Sequence, residues 1–231
     1  MKTSANVKTS AKAKAKAAAG DGGRVPMRST YRHGDLRRTL LEAGIELARA
    51  GGPDAVVLRE ATRRAGVVPN AAYRHFGGRE DLLEAVRAAA LAALATAMEE
   101  ELARLRRGLA PAEQARASLR AVGTGYLRFA LSETGLFRTA FSTPAAVEDD
   151  RDPAKAGGSG LNPFELLGAA LDRMVTAGVL PASRRPGAEY LAWSAVHGLA
   201  LLLIDGPLKG VEPRQSRALA QRLLDMVEKG L

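Results

Sequence analysis

Residues 57–76 read VLREATRRAGVVPNAAYRHF and hold the most informative helical pattern in the chain. The pattern predicts two short helices, over 58–65 and 69–76, joined by a tight turn at Gly66. Glycine suits that turn because it adopts positive φ without a steric cost. Small residues let the two helices cross closely: Ala61, Ala65 and Ala72. Two helices of this length with a turn of three or four residues form a helix-turn-helix unit.

Helical patterning continues on both sides of this unit. Apolar residues share one face of a helix predicted over 34–50, at Leu36, Leu40, Ala43 and Leu47. Further helices are predicted over 79–107, 111–131, 135–141, 163–177, 186–205 and 213–228. Aromatic residues make up only 4% of the chain, so Leu, Ala and Val must build the core, which suits helices. We therefore predict an all-α chain of about nine helices.

The positive charge is concentrated at the start of the chain. Residues 1–28 carry a net charge of +6, against +9 for all 231 residues. This Lys- and Ala-rich tail is too polar to pack, and we expect it to be disordered. Two interpretations remain open: a solvated tail, or an arm that neutralises DNA phosphates. Because the rest of the chain is nearly neutral, the high overall charge does not show that the folded body binds polyanions.

Several classes of protein are excluded or disfavoured. The chain has no cysteine, and its three histidines are far apart, so we predict no metal and no cofactor. No G-x-S-x-G, H-E-x-x-H or P-loop motif is present, and a helical enzyme is therefore disfavoured. The longest apolar stretch, 191–204, is too short to span a bilayer and predicts a buried helix. We expect a cytoplasmic protein with a mobile loop over 142–162 whose glycine run 157–160 is a linker.

Motifs in and around the helix-turn-helix segment resemble the TetR family of DNA-binding regulators. They are YRHGDLR at 31–37, RAGV at 64–67, YRHF at 73–76 and REDLL at 79–83. The resemblance extends from about residue 31 to residue 86. It implies a three-helix DNA-binding domain over 29–78, with its motif at 57–76. A helical ligand-sensing and dimerisation domain over 79–231 follows.

A second resemblance lies nearer the C-terminus. Trp193, His197 and Gly198 look like the Trp-x-x-x-His-Gly signature of one TetR subgroup. The segment 129–141 also resembles that subgroup, although Glu133 and Thr134 stand where the subgroup has His-Pro. The DNA-binding motif departs from the family as well. Valine replaces the usual Ser or Thr cap of two helices, and threonine replaces an alanine at the crossing: Val57, Val68 and Thr62.

The resemblance and the docking mode of helix-turn-helix proteins assign roles in DNA binding. Base contacts are expected from Arg59, Pro69, Asn70 and Ala71. Arginine pairs with guanine, asparagine with adenine, and alanine contacts the thymine methyl group. Phosphate contacts are expected from Tyr73, His75 and Arg79, which position the protein without reading sequence. The ring of Tyr73 has an alternative role as packing between helices.

A ligand pocket is expected in the C-terminal helices. Its candidate residues are Phe129, Phe137, Phe164, Met174, Trp193 and His197. Trp193 and His197 lie four residues apart and therefore share one helical face. Together they offer an apolar wall with one polar group that orients a small molecule. Each of these residues is equally compatible with ordinary core packing.

The sequence thus predicts a sequence-specific transcriptional regulator. We expect a homodimeric repressor on a pseudo-palindromic double-stranded DNA operator, released by a small, mostly apolar effector. The helices beginning near Pro186 and Pro213 would form the dimer interface. Small residues would permit close approach in or near it: Ala188, Ala192, Ala195, Gly198 and Ala200. The alternative is a non-specific, architectural DNA-binding protein that relies on the basic tail.

Overall fold

The computed structural model describes residues 33–143 and 152–231. Within these ranges it is all-helical, as predicted, with nine α-helices and three short 3-10 turns. The helices are α1 (His33–Gly51), α2 (Leu58–Arg64), α3 (Pro69–Ala72), α4 (Arg79–Ala103), α5 (Pro111–Ser132), α6 (Thr134–Ala140), α7 (Pro163–Thr176), α8 (Ala188–Ile204) and α9 (Pro213–Gly230). The predicted basic tail, residues 1–28, lies outside the described residues.

Helix α1 packs against α2, α3 and α4 through its apolar face. Leu40 and Leu47 are fully or almost fully buried, and Phe76 at the end of the helix-turn-helix segment joins the same core. The i, i+4, i+7 spacing read from the sequence therefore identified the buried face of α1 correctly. Two residues on α4, Leu82 and Val86, complete this core and are completely buried. A helix as short as α3 depends on such neighbours for its stability.

The described residues form one compact unit with a continuous core. Helix α4 lies at its centre, where it contacts α1, α5, α6 and α7. Helix α6 also packs directly on α1. The core therefore continues through the boundary expected at residue 78, and the functional division at that residue stays a prediction.

Two helices end earlier than the sequence predicts. Helix α3 ends at Ala72, and residues 73–75 form a turn in which the His75 and Phe76 amides both donate to the Ala72 carbonyl. This turn directs Phe76 into the core. Helix α4 ends at Ala103, and Gly108, at φ 79°, helps reverse the chain towards α5.

The predicted linker at 157–160 is instead tied to α4. The backbone N–H groups of Gly158 and Ser159 each donate to the Glu99 carboxylate at 2.9 Å, and the Ser159 hydroxyl donates at 2.5 Å. Burial alone would raise the Glu99 pKa, but these hydrogen bonds together outweigh it and hold the pKa below its ordinary value. Within the part of the predicted mobile loop that the structure describes, 152–162 is therefore anchored. The sequence gives no local sign of a partner about 60 residues away.

Helix α8 is only half buried, whereas the sequence predicts a buried helix. Its apolar residues divide between the core and the surface, where Leu191 is 65% exposed. The small residues Ala188, Ala192 and Ala200 face the core, while Ala195 and Gly198 are half-exposed. No helix among the described residues combines the length and apolarity needed to cross a membrane.

Candidate nucleic-acid interface and internal cavity

The turn between α2 and α3 has the geometry that the sequence predicts. Gly66 adopts φ 67°, in the left-handed region that favours glycine. The amide of Val67 donates to the Thr62 carbonyl at 3.0 Å, and the Gly66 amide donates to the Arg63 carbonyl at 3.3 Å. These two bonds form a Schellman motif, which satisfies the last carbonyls of α2. The turn therefore fixes the direction in which α3 leaves α2.

The three departures from the family pattern are accommodated in different ways. Val57 and Val68 occupy the N-cap positions of α2 and α3, and neither side chain can cap its helix. Each missing cap lowers helix stability by about 0.5–2 kcal/mol. Thr62 is 2% exposed, but its hydroxyl donates to the Arg59 carbonyl at 2.7 Å. The buried polar group is thus satisfied within α2.

The residues predicted to contact bases lie at one exposed end of the motif. Pro69 and Asn70 begin α3 and are exposed, Ala71 is half-buried, and Arg59 projects from α2 into solvent. Within the described part of the chain, Arg59 has no ion-pair partner. Its guanidinium therefore retains donors for a base edge.

Glu60 moderates the charge of this surface. It accepts hydrogen bonds from Arg63 at 2.7 and 2.8 Å and from Arg64 at 3.3 Å. The bonds from Arg63 are the main reason that the Glu60 pKa falls to about 2. Both arginines therefore have a local carboxylate partner. A DNA phosphate would have to compete with Glu60 for them.

The residues predicted to contact phosphates have different environments. Tyr73 is 60% exposed, which argues against a role in packing between helices. His75 is half-buried. Arg79 donates to the Pro53 carbonyl at 3.0 Å and to Glu80 at 2.8 Å, which fastens the start of α4 to the turn after α1. Its guanidinium is therefore engaged within the protein, and the phosphate contact expected of Arg79 stays a prediction.

Arg37 is an exposed cation beside the end of the helix-turn-helix segment, and no DNA contact was predicted for it. Its guanidinium carbon lies 5.1 Å from the centre of the Phe76 ring, while the side chain stays exposed. A cation over an aromatic face is stabilised by about 0.5–1 kcal/mol at exposed sites. The sequence places Arg37 in a family motif, but the contact itself joins residues 39 apart and has no local signal.

An internal cavity of about 80 Å³ lies between α4, α5, α7, α8 and α9. Most of its wall is apolar. Of the six residues predicted to line a pocket, Phe164 and Trp193 do so. Phe129, Phe137 and Met174 are almost completely buried elsewhere in the core, so ordinary packing is their role. His197 does not line the cavity and lies next to residues that do.

Tyr126 on α5, which was not among the residues predicted to line the pocket, connects the cavity wall to His197. Its hydroxyl accepts a hydrogen bond from Trp193 Nε1 at 3.1 Å and lies 2.7 Å from His197 Nδ1. Burial raises the Tyr126 pKa and lowers the His197 pKa, so both groups stay neutral near pH 7. The Tyr126 hydroxyl can then donate a hydrogen bond to His197 Nδ1. One signal in the sequence was the pair Gly123 and Gly125, which marks close packing on α5.

Aromatic rings surround this hydrogen-bond chain. Phe141, at the end of α6, lies 4.8 Å from the His197 ring and 6.1 Å from the Trp193 ring. Phe137 lies 5.1 Å from Phe141 and 5.6 Å from Tyr126. The cluster therefore joins α5, α6 and α8, and Phe141 brings α6 to the cavity wall.

Two cations on the cavity wall have carboxylate partners. Arg120 on α5 pairs with Asp225 and Glu228 on α9. The ammonium group of Lys155 lies 3.9 Å from Glu84 and 4.0 Å from Asp152. With these charges balanced and the rest of the wall apolar, the cavity favours neutral, apolar molecules.

The geometry defines a class of protein: a helix-turn-helix DNA-binding protein with a helical domain that contains a mostly apolar cavity. Residues 40–86 match the family model for bacterial regulatory proteins of the tetR family. Residues 119–227 match the model for the tetracyclin repressor-like C-terminal domain. Together the two matches cover about two thirds of the chain. The chain belongs to the TetR family of transcriptional regulators.

Solved structures with the same fold cover most of this chain. A protein of unknown function from Rhodococcus sp. RHA1 is 25% identical, with 87% of this chain and 98% of that chain covered and a TM-score of 0.68. The TetR-family regulator PfmR from Thermus thermophilus is 21% identical, with coverages of 83% and 95% and a TM-score of 0.53. A TetR-family regulator from Pectobacterium atrosepticum is 20% identical, with coverages of 88% and 96% and a TM-score of 0.57. No curated protein matches the chain.

Proposed function

We propose that this regulator is a homodimeric, cytoplasmic repressor that a small, neutral, mostly apolar effector releases from a pseudo-palindromic operator. The observation that carries the proposal is the position of α4. This helix begins at Arg79, beside the DNA-binding surface, and Leu91 and Met98 further along it line the cavity. One rigid element therefore connects the two sites.

Helix α6 supplies a second connection. Phe141 at its end lies on the cavity wall, and Gly135 near its start packs on the last turn of α1. An ion pair between Arg49 and Glu133, 2.8 Å apart, joins the same two helices. A ligand that displaces Phe141 would shift α6 against α1. This shift would move the DNA-binding helices and change the distance between the two recognition helices of the dimer. Coupling of about 1–3 kcal/mol would weaken operator binding about 5- to 150-fold, and DNA would weaken ligand binding equally.

The size of the cavity supports a mechanism with moving walls. A volume of about 80 Å³ is small compared with the roughly 150 Å³ of a cavity that holds benzene. A larger effector must therefore push wall residues outward. Phe164 and Trp193 suit this role because both are only half-buried.

Selection of bound duplexes from a random pool, at physiological salt, tests the proposal. We expect a pseudo-palindrome whose half-sites lie about 34–36 Å apart, the spacing of successive major grooves on one face of DNA. Recovery of no preferred sequence, together with steep salt dependence, would instead favour a non-specific binding protein driven by its basic tail.

Arg59→Ala and Arg79→Ala should separate base reading from phosphate binding. Arg59→Ala should reduce the preference for particular base pairs, with a loss of about 1–3 kcal/mol in binding free energy at a guanine. Arg79→Ala should weaken all sequences similarly and reduce the salt slope by about one phosphate contact. Fluorescence anisotropy with operator and mutated duplexes across a salt series measures both. Arg106→Ala, an exposed arginine beyond the end of α4, is the control. A uniform loss in both test variants would contradict the role of Arg59.

Trp193→Ala should abolish the ligand response while operator affinity is retained. The substitution removes part of the cavity wall and the hydrogen bond to Tyr126. A compound that releases operator DNA, identified by screening neutral aromatic and aliphatic molecules, serves as the probe. Tyr126→Phe is the matched variant, because it keeps the ring and removes only the hydroxyl. Unfolding or aggregation of Trp193→Ala, seen in a thermal melt, would show that Trp193 is simply core.

A further inference from the structure

Val68 is the most exposed large hydrophobic side chain among the described residues, at 69%. It occupies the N-cap position of α3, with φ −71° and ψ 142°, and makes no capping hydrogen bond. Serine, threonine, aspartate or asparagine would stabilise the helix better at this position. Folding therefore does not explain why a valine is exposed there.

The location of Val68 points to DNA. It directly precedes the exposed residues Pro69 and Asn70, at the end of the second helix that meets base edges in a helix-turn-helix complex. A valine side chain has no polar atom, so it cannot bind a phosphate or read a base by hydrogen bonding. The apolar group that a base pair presents in the major groove is the C5-methyl of thymine.

We propose that Val68 is a specificity-determining residue that packs on the C5-methyl group of one thymine in each half-site. The same type of contact is expected from the sequence for Ala71. Ala71, however, is half-buried and offers a single methyl group, whereas Val68 presents two in the open. The inference rests on the proposed operator binding. It names the chemical group on the DNA, a thymine methyl, that Val68 recognises.

Replacing thymine by deoxyuridine tests the contact directly, because only the methyl group is lost. The probe is the duplex selected from the random pool, with each thymine substituted in turn. For the wild-type protein we expect one thymine in each half-site to show a dissociation constant raised about fourfold. That factor corresponds to about 0.8 kcal/mol per buried carbon.

Val68→Ser should remove this deoxyuridine penalty, and Val68→Ala, which keeps only one methyl group, should reduce it. The serine variant can also cap α3, so its melting temperature should equal or exceed that of the wild type. A lower preference for thymine in a more stable protein cannot be attributed to loss of folding. Val57→Ser is the matched control, because Val57 is an exposed valine at the N-cap of α2. It should gain the same cap and keep the penalty.

Three outcomes would overturn the proposal. The wild type could bind all deoxyuridine duplexes like the parent, which would place Val68 away from any thymine methyl. The penalty could persist in full in Val68→Ser and Val68→Ala, which would assign the contact to another residue such as Pro69. Both variants could lose more than about 100-fold in affinity while folded, which exceeds one methyl contact. None of these outcomes would affect selective binding of the operator by the wild type. Failure of the proposed function itself would be seen separately, in the random-pool selection.

Discussion

Gly135→Ala should lower the free energy of unfolding by at least about 3 kcal/mol, a large part of the roughly 5–15 kcal/mol that stabilises a domain. Gly135 lies where α6 crosses the end of α1. An added Cβ would stand 2.2 Å from the Ala48 carbonyl oxygen and 2.4 Å from that of Arg49. Both obstacles are backbone atoms of a helix, which cannot rotate away as a side chain can. Helix α6 would have to lift off α1, and urea unfolding followed by circular dichroism measures the cost.

Gly168→Ala is the matched control for this substitution. Gly168 lies within α7, and the nearest atoms to an added Cβ are side-chain atoms of Glu189 and Arg185 at 3.6 and 3.7 Å. Because that contact is ordinary, the higher helix propensity of alanine should stabilise the protein by about 0.5–1 kcal/mol. The same chemical change should thus have opposite signs at the two positions. A loss below about 1 kcal/mol for Gly135→Ala would contradict the close approach of α6 and α1.

The helices and the DNA-binding motif could be predicted because their signals are local. The apolar spacing of α1 depends on residues within one helix, and Gly66 ends α2 through bonds that span five residues or fewer. The early end of α3 is different. It depends on Phe76 entering a core formed by α1 and α4, which no local pattern describes.

The cavity was harder to predict for the same reason. Six candidate residues were chosen by type and approximate position, but only Phe164 and Trp193 reached the wall. Whether an aromatic residue faces the cavity depends on how five helices cross. A buried helix has several apolar faces, so its sequence does not show which of them lines the cavity. The hydroxyl of Tyr126 became recognisable only once the structure placed it between Trp193 and His197.

Exposed apolar residues on α8 and α9 support the predicted dimer interface. On α8 they lie at Tyr190, Leu191, Leu201 and Leu202, with exposures of 41–65%. On α9, Met226 is 60% exposed. The small residues Ala195 and Gly198 lie half-exposed between the two ends of the α8 surface, where a second helix can approach closely. Exposed apolar patches of this kind on a folded protein mark interaction sites.

If the proposed dimer forms through α8 and α9, the double substitution Leu191→Glu and Met226→Glu should yield a monomer and weaken operator binding by about 100-fold or more. In a two-fold interface each substitution occurs twice, so four carboxylates would be buried without partners. A monomer keeps its contacts with one half-site but loses the second, whose effective concentration strengthens binding about 10²- to 10⁴-fold. Size-exclusion chromatography with light scattering gives the mass, and anisotropy with the selected duplex gives the affinity.

Leu131→Glu is the matched control, because Leu131 is 40% exposed but lies on α5, outside the two helices. It should leave both the mass and the affinity unchanged. The double variant should also keep the wild-type melting profile of a folded protomer, since neither replaced side chain belongs to the core. A wild-type protein that is monomeric at micromolar concentration and still binds the full operator tightly would contradict the dimer. A double variant that remains dimeric would place the interface on another surface.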